Sequence, residues 1–177
     1  MYRDNSLMPS EAIRLLALGL LTDRPRDYAE LAREVRHFTD HVVGPSLDLV
    51  AQPIELLKVE GLIEPQDKAK DSPLSITQAG RETLRSLLTA AVRPPVNDIN
   101  KLIIALKMRF LHLLPPEDQR LQAEVLIEMC ERELARLQAI QSHNADAPGH
   151  LGSWLSHDIG QTQARLAWFQ ALRDSLD

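Results

Sequence analysis

Residues 57–80 read LKVEGLIEPQDKAKDSPLSITQAG, and this segment carries the signals of a helix end, a hairpin and a new helix. Gly61 follows an apolar helical pattern, in the position where glycine commonly ends a helix. Residues 62–65 and 74–77 flank a charged loop, which is typical of two short strands joined as a hairpin. Thr77 then has the side-chain oxygen that caps a helix N-terminus. The segment therefore predicts a small β-hairpin between two helices.

Three helices are predicted upstream of the hairpin, because apolar residues recur there at steps of three and four. The first begins at Ser10, and the second covers residues 27–37. The second helix leaves Arg33 and Arg36 outside its apolar face. A Gly-Pro break at residues 44–45 separates it from the third helix, which leads into the hairpin. The predicted order is helix, helix, helix, hairpin, helix.

This order describes a winged helix-turn-helix, in which one helix enters the major groove of DNA and the hairpin, or wing, reaches a neighbouring phosphate strand. The candidate DNA-contacting residues lie on the second helix, on the third helix and its approach, and on the wing: Arg33, Arg36, Ser46, Gln52, Lys58, Lys68 and Lys70. Arginine and lysine side chains neutralise phosphates, whereas hydroxyl and amide groups can pair with base edges.

Each group of candidates also has an interpretation without DNA. Asp67 and Asp71 could neutralise the wing lysines in a solvated turn. Glu30 and Glu34 could pair with the two arginines of the second helix, since residues three and four apart are neighbours on a helix. Ser46 could cap the third helix instead of contacting a base. In the first two alternatives a carboxylate of the chain, and not a DNA phosphate, meets the basic side chain.

The composition limits the kind of nucleic-acid binding. The chain has 177 residues, 44% hydrophobic and 25% charged, with a formal net charge of −5, so it can bury one large core or two small ones. The negative charge excludes a protein that coats nucleic acid by bulk positive charge, and DNA binding requires a local basic surface. No segment resembles a signal peptide or a membrane span, so a soluble cytoplasmic protein is expected.

The sequence contains no recognisable catalytic motif. It lacks a phosphate-binding glycine loop, a Gly-x-Ser-x-Gly motif and a His-Glu-x-x-His motif, so an enzyme is not expected and no cofactor is predicted. Cys130, the single cysteine, cannot form an internal disulfide. His143, His150 and His157 are not spaced to share one helix face with Asp146 and Asp158, so no metal site is predicted.

Arg-Pro-Pro at residues 93–95 is the predicted domain boundary, because consecutive prolines end a helix. It divides the chain into a winged-helix DNA-binding domain, residues 1–93, and a helical dimerisation domain, residues 94–177. The second domain is predicted to contain a helix over residues 97–114, a long helix that begins at Pro116 and a last helix that begins at Ser153.

The last two helices carry apolar stripes that neither helix can bury alone. We expect a second copy of the chain to cover them, because exposed stripes of this length would otherwise aggregate. The predicted dimer interface consists of large side chains at helical spacing: Leu126, Leu134, Leu137, Leu155, Leu166, Trp168 and Phe169. Trp154, Trp168 and Phe169 could instead line an effector pocket, although aromatic residues at such spacing more often form a core or an interface.

Six segments together resemble the PadR-like transcriptional regulators: PSEAI (9–13), YAEL (28–31), LKVEGLI (57–63), LSITQAGR (74–81), FLHLLPPE (110–117) and LAWF (166–169). The resemblance spans nearly the whole chain. It implies a mainly α-helical protein with a winged helix-turn-helix, a small hairpin wing and a helical dimerisation region. It also implies a homodimer that binds operator DNA, commonly as a repressor, with some members responding to a small molecule near the dimer interface.

A second function remains open from the residues themselves. The third helix offers one lysine, Lys58, together with Asp48 and Glu55, which gives it little attraction for phosphate. A winged helix of this charge could bind another protein instead of DNA. The absence of a sequence-selective shift with DNA fragments at low salt would favour that alternative.

Overall fold

The computed structural model describes residues 7–42, 51–69, 71–92, 98–146 and 148–176, with the side chains of residues 51–53 and 98–99 left out. The elements are α1 (Pro9–Asp23), α2 (Tyr28–Val42), α3 (Ala51–Val59), β1 (Ile63–Pro65), β2 (Leu74–Ile76), α4 (Gln78–Thr89), α5 (Asp98–Phe110), a 3-10 turn (Leu111–Leu113), α6 (Pro116–His143) and α7 (Leu151–Asp174). This order confirms the predicted fold class, mainly helical with a winged helix-turn-helix and a small hairpin.

The end of α3 follows from one glycine. Gly61 has a φ of +69°, a left-handed conformation that glycine adopts without steric penalty. Its N–H donates to the Lys58 carbonyl at 3.1 Å, and the Leu62 N–H donates to the Leu57 carbonyl at 2.9 Å. This pair of bonds is the Schellman motif that closes a helix. The chain therefore reverses at Gly61 and enters β1.

The wing is an antiparallel hairpin in which Ile63 faces Ile76 and Pro65 faces Leu74. Its base is extended by a third segment, because the backbone groups of Arg26 and Leu74 exchange two hydrogen bonds of 3.2 and 2.7 Å. Residue 26 lies two positions before the start of α2. The bridge therefore places the beginning of α2 beside the wing.

The start of α4 is fixed by a threonine and a glycine. Thr77 Oγ1 accepts a hydrogen bond from the Gly80 N–H at 3.0 Å and donates to the Gly61 carbonyl at 2.8 Å. A Cβ atom added to Gly80 would lie less than 3.0 Å from the Leu62 carbonyl oxygen. The glycine of the Thr-x-x-Gly sequence is therefore required by the close approach of α4 to the backbone that leaves α3.

Helix α1 is the centre of the first compact unit and contacts α2, α3, α4 and α5. Apolar residues at steps of three and four predict one apolar face for this helix, but Leu15 and Leu18 are buried as completely as Leu16 and Ala17. A helix that is apolar on every side is one that other elements surround. Each of the packing helices therefore covers a different face of α1.

Helix α5 belongs to this first unit, together with the 3-10 turn, although the predicted boundary at residues 93–95 assigned it to the C-terminal domain. Its packing gives the reason. The Phe110 ring lies against Gly19 of α1, where an added Cβ would come within 2.6 Å of the ring. Lys107 is fully buried, and its ammonium donates to the Leu88 carbonyl at the end of α4. The two prolines interrupt the helix pattern, but the helix that follows them packs in the core of the same unit as the helices before them.

Helix α2 extends five residues beyond the predicted end at residue 37. Its last turns are supported from α5, because the Arg109 guanidinium lies 4.9 Å from the centre of the Phe38 ring. Thr39 is buried and returns its hydroxyl to the Val35 carbonyl at 3.0 Å. A contact with a helix far along the chain thus extends a segment that local periodicity left polar.

The second compact unit contains α6 and α7, which pack along one another. Leu126, Leu137, Leu155 and Phe169 are buried in the single chain. These four residues were predicted to face a second copy, and intrachain burial already accounts for their apolar character. Leu134 and Leu166 are half-buried, and Trp168 is exposed. Among the described helices, none is long and apolar enough to cross a membrane.

Candidate nucleic-acid interface

The described part of the chain places four of the predicted DNA-contacting side chains. Arg33 and Arg36 are exposed on α2, Lys58 is exposed on α3, and Lys68 is exposed in the wing loop. Ser46 and Lys70 lie outside the described residues. Gln52 lies on α3, but its side chain is outside the described set. The predicted contacts therefore divide between α2 and the pair formed by α3 and the wing.

A groove of about 640 Å³ separates the first turn of α2, the side of α3 and the wing. It brings Lys58 and Lys68 to one surface although they lie on different elements. The remaining lining consists of Asp27, Tyr28, Ala29, Glu55, Pro65, Asp67, Ala69, Asp71, Ser72 and Leu74. Arg33 and Arg36 line a separate hollow of about 330 Å³ on α2 itself, beside Ala29, Ala32, His37 and Asp40.

Several arginines of the first unit are neutralised by carboxylates. Arg14 forms an ion pair with Glu60, and Arg24 forms one with Glu30. The shared hydrogen bond raises the pKa of Arg24 and lowers the pKa of Glu30, because each charge stabilises the other. Both side chains are at the surface, where such a pair contributes little to stability. Glu30 is therefore already paired with Arg24.

This pairing decides between two of the interpretations for α2. Glu34 lies 3.3 Å from Arg26 and 3.8 Å from Arg24, so neither Glu30 nor Glu34 pairs with Arg33 or Arg36. Among the described residues, Arg33 and Arg36 form no ion pair. The alternative in which Glu30 and Glu34 neutralise them is therefore wrong. Their charge is available to an anionic partner.

The wing loop is closed by its own polar groups. Asp67 Oδ1 accepts from the Ala69 N–H at 2.8 Å, and the Asp67 N–H donates to Ser72 Oγ at 2.9 Å. The Asp67 carboxylate is thus used by the loop backbone, as in an Asx turn. Within the described part of the loop, Lys68 forms no ion pair with it. Lys68 therefore projects its charge from an ordered turn.

Arg26 is a site residue that the sequence analysis missed. Its buried guanidinium donates to the carbonyl oxygens of Leu20 and Arg24 and lies 3.3 Å from Asp23 Oδ2. It satisfies carbonyl groups near the end of α1 while its backbone extends the wing. No local pattern marks an arginine for burial, so only the tertiary arrangement reveals this role.

Tyr28 and Glu55 are a second pair of neighbours that the sequence did not indicate. Burial, and after it the charge of the nearby Glu55 carboxylate, raises the pKa of the Tyr28 hydroxyl. Both residues line the groove, Tyr28 from the first turn of α2 and Glu55 from the exposed side of α3. The two residues are distant in sequence, and neither belongs to a recognisable pair motif.

The described residues contain no group of three His, Cys, Asp or Glu side chains placed to hold a metal ion. What they do contain is a helix, α3, beside a hairpin whose basic side chain shares its groove. This arrangement defines a winged-helix domain, the fold of a large class of DNA-binding regulators.

The chain belongs to the family of AphA-like transcriptional regulators, whose family model matches residues 2–173. The match covers nearly the whole chain and confirms the sequence-based assignment to the PadR-like winged-helix regulators. The protein is thus a DNA-binding transcriptional regulator. The homologous families consist of regulators, not enzymes. No curated protein sequence matches the chain.

Solved structures of the same kind are similar in fold at low identity. PadR from Bacillus subtilis is 16% identical, with 97% of this chain and 98% of that chain covered and a TM-score of 0.41. The structure of the same protein in complex with operator DNA is 15% identical, with 93% of this chain and 98% of that chain covered and a TM-score of 0.39. The virulence activator AphA from Vibrio cholerae is 21% identical, covering 93% and 95% of the two chains at 0.39. The family assignment rests on the family model, since all three TM-scores are below 0.5.

Proposed function

We propose that the chain is a homodimeric regulator that binds an inverted-repeat operator, with α3 in the major groove and the wing on the adjacent phosphates. The observation that carries this proposal is the groove that Lys58 of α3 and Lys68 of the wing both line. A symmetric dimer presents two such surfaces to half-sites about one helical turn apart. Arg33 and Arg36 contact the flanking phosphates from α2.

The distribution of ion pairs supports these phosphate contacts. Arg14, Arg24 and Arg26 are engaged by carboxylates, whereas Arg33, Arg36, Lys58 and Lys68 form no ion pair with another described residue. A free cation releases a condensed counterion from DNA when it meets a phosphate, but a paired one must first leave its carboxylate. These four cations lie on α2, α3 and the wing, and the two lysines share their groove with four carboxylates.

The dimer forms through the exposed face of α7. Trp154 is 61% exposed and Trp168 is 54% exposed, both large fractions for tryptophan. The two positions are nearly four helical turns apart at about 3.6 residues per turn, so both indoles lie on one side of the helix. Of the interface residues predicted by sequence, Trp168 is exposed and Leu134 and Leu166 are half-buried, so these three stay in the proposal and Trp154 is added to them.

Repression is the proposed outcome, because a dimer on an operator excludes polymerase from the DNA beneath it. A small-molecule effector is proposed from the family resemblance, with binding near the dimer interface. Release of a reporter gene by deletion of the regulator would support repression, and loss of its expression would identify an activator instead.

The test of DNA binding is selection from a random pool of double-stranded DNA, followed by affinity measurements at several salt concentrations. We expect an inverted repeat and a steep salt dependence. Lys58→Ala and Lys68→Ala should each weaken binding to all sequences and reduce the salt slope by about one unit. Arg24→Ala removes the same charge from an ion-paired position and should change the slope less. Enrichment of no inverted repeat would contradict the proposal.

A second candidate function is a winged helix that binds a protein. It is favoured by the four carboxylates, Asp27, Glu55, Asp67 and Asp71, that line the groove with two lysines, and by the exposed Leu56 and Val59 on α3. Those side chains would meet a partner with a basic and apolar surface. Failure of the wild-type dimer to shift any DNA fragment selectively at low salt would favour this function over operator binding.

A further inference from the structure

Glu55 is an acidic residue on the helix proposed to enter the major groove. Its side chain is exposed on α3 and lines the groove with Lys58 and Lys68. A carboxylate in this place is repelled by phosphates, so it does not add to general DNA affinity. It must either oppose binding or meet a group that donates hydrogen bonds.

Tyr28, the first residue of α2, lines the same groove as Glu55. The Glu55 charge contributes, after burial, to the raised pKa of the Tyr28 hydroxyl, so the two groups are close enough to interact. An ionised carboxylate has about four acceptor positions on its two oxygens, so a bond from one hydroxyl would leave most of them open. An exposed glutamate loses side-chain entropy when it is ordered by a ligand, and a neighbouring donor that restricts the side chain beforehand reduces this cost.

The major groove offers few partners to a group that only accepts hydrogen bonds. Guanine presents the N7 and O6 acceptors, and thymine presents the O4 acceptor and a methyl group. Adenine presents the N6 amino donor next to the N7 acceptor, which would face the second carboxylate oxygen. Cytosine presents the N4 amino donor, the base-edge group to which glutamate and aspartate typically pair.

We propose that Glu55 selects a cytosine in each half-site and that Tyr28 is the positioning residue for its carboxylate. The assignment rests on the proposed function, because it requires α3 to lie in the major groove. It gives the acidic groove a purpose in sequence discrimination: lysines contribute affinity for any DNA, and the carboxylate excludes bases that cannot donate to it.

The experiment compares the full-length wild type with Glu55→Ala, Glu55→Gln and Tyr28→Phe on duplexes that carry each base pair in turn at every operator position. Wild type should prefer cytosine at one position per half-site by about tenfold or more. Glu55→Ala should remove the preference at that position only. Tyr28→Phe should keep cytosine as the preferred base but reduce the discrimination several-fold.

Two controls separate this role from general charge and folding effects. Glu64→Ala removes an exposed carboxylate from β1 and should leave every base preference unchanged. Glu55→Gln retains the size of the side chain but adds donors, and should shift the preference at that position toward adenine, to which glutamine pairs in bidentate fashion. Thermal unfolding of each variant identifies any loss of fold.

The outcomes are distinguishable. Glu55→Ala that binds all duplexes more tightly with unchanged base preferences would overturn the assignment and leave operator binding intact, because the carboxylate would then act only as a repulsive charge. A wild-type protein that selects no sequence at all would overturn both the assignment and the proposed function. Loss of one base preference in Glu55→Ala, with the other positions retained, supports both.

Discussion

Gly80 is the position where one methyl group should have the largest effect on the winged-helix unit. In Gly80→Ala the added Cβ would lie less than 3.0 Å from a backbone oxygen, that of Leu62, and 2.8 Å from Ile76 Cγ1. The backbone cannot rotate away as a flexible side chain would. Overpacking of this kind costs about 1–3 kcal/mol, and the better helix propensity of alanine recovers at most about 1 kcal/mol. Because the clash is with a backbone atom, the upper end of this cost applies, and we expect a net loss of about 2 kcal/mol.

Thermal unfolding measures this loss. At about 2–4 °C per kcal/mol for a chain of this size, Tm should fall by about 4–8 °C in far-UV circular dichroism. Both tryptophans of the chain lie on α7, in the other compact unit. Tryptophan fluorescence therefore follows the unit that has not been altered, and the Gly80→Ala effect should be larger by circular dichroism.

Gly160→Ala is the matched control, because Gly160 lies inside α7 with nothing within 4 Å of an added Cβ. Alanine in an open helix position should stabilise by about 0.5–1 kcal/mol. The same chemical change is therefore expected to have opposite signs at residues 80 and 160. Gly80→Ala with wild-type or higher Tm would refute the close approach of α4 to the Leu62 carbonyl.

Three further predictions concern charge and association. Burial lowers the pKa of Lys107 to about 8, so the unfolded chain binds more protons between pH 8 and about 10.4 and stability should rise with pH across that window; Lys107→Met should flatten the rise in pH-dependent denaturation, by on the order of 1–3 kcal/mol. Trp168→Asp should dissociate the dimer in sedimentation without unfolding the monomer. Arg33→Ala with Arg36→Ala should reduce the salt slope of DNA binding by up to about two units.

Each of these has its own control. If stability rises with pH as much in Lys107→Met as in the wild type, the rise comes from other titratable groups. Gln163→Asp lies on the same helix at an exposed position and should leave the dimer intact, so dissociation by both variants would argue against a specific interface. Arg24→Ala should have a smaller salt effect than either α2 arginine, and an equal effect would show that ion pairing does not restrict which cations meet DNA.

Within residues 57–80, local signals predicted the helix end, the hairpin and the next helix that the described residues form. Gly61 ends α3 by its left-handed conformation, and Thr77 caps α4, each through bonds within a few residues or across the hairpin base. Such features depend on short-range geometry that a residue type specifies by itself. The winged helix could therefore be predicted without knowledge of its packing.

Features that depend on long-range packing could not be predicted in the same way. The proline pair at 94–95 indicated a boundary, but the affiliation of α5 depends on Gly19 and Phe110, which meet only in the folded chain. Glu30 pairs with Arg24 and not with Arg33, because the chain turns between α1 and α2 and brings an earlier residue closer. Helical spacing predicts which residues are neighbours on one helix, but it does not predict contacts with residues before the turn that leads into the helix.

The interface residues illustrate the same limit. The apolar positions of α6 and α7 were predicted correctly as helix stripes, but periodicity does not specify whether a stripe meets its own chain or another. Phe169 is buried in the single chain, and Trp168, the next residue along α7, is exposed. One step along a helix turns a side chain by about 100°, and that step separates core from candidate interface.

The two hydrogen bonds between Arg26 and Leu74 connect the backbone at the base of the wing directly to the segment that leads into α2. We expect a displacement of the wing on DNA binding to reach Arg26, two residues before α2, through these backbone bonds. Amide hydrogen exchange would detect this coupling, since the two N–H groups open only when the same bridge breaks. Their exchange rates should slow together on operator binding, and a mutation that loosens one should release the other.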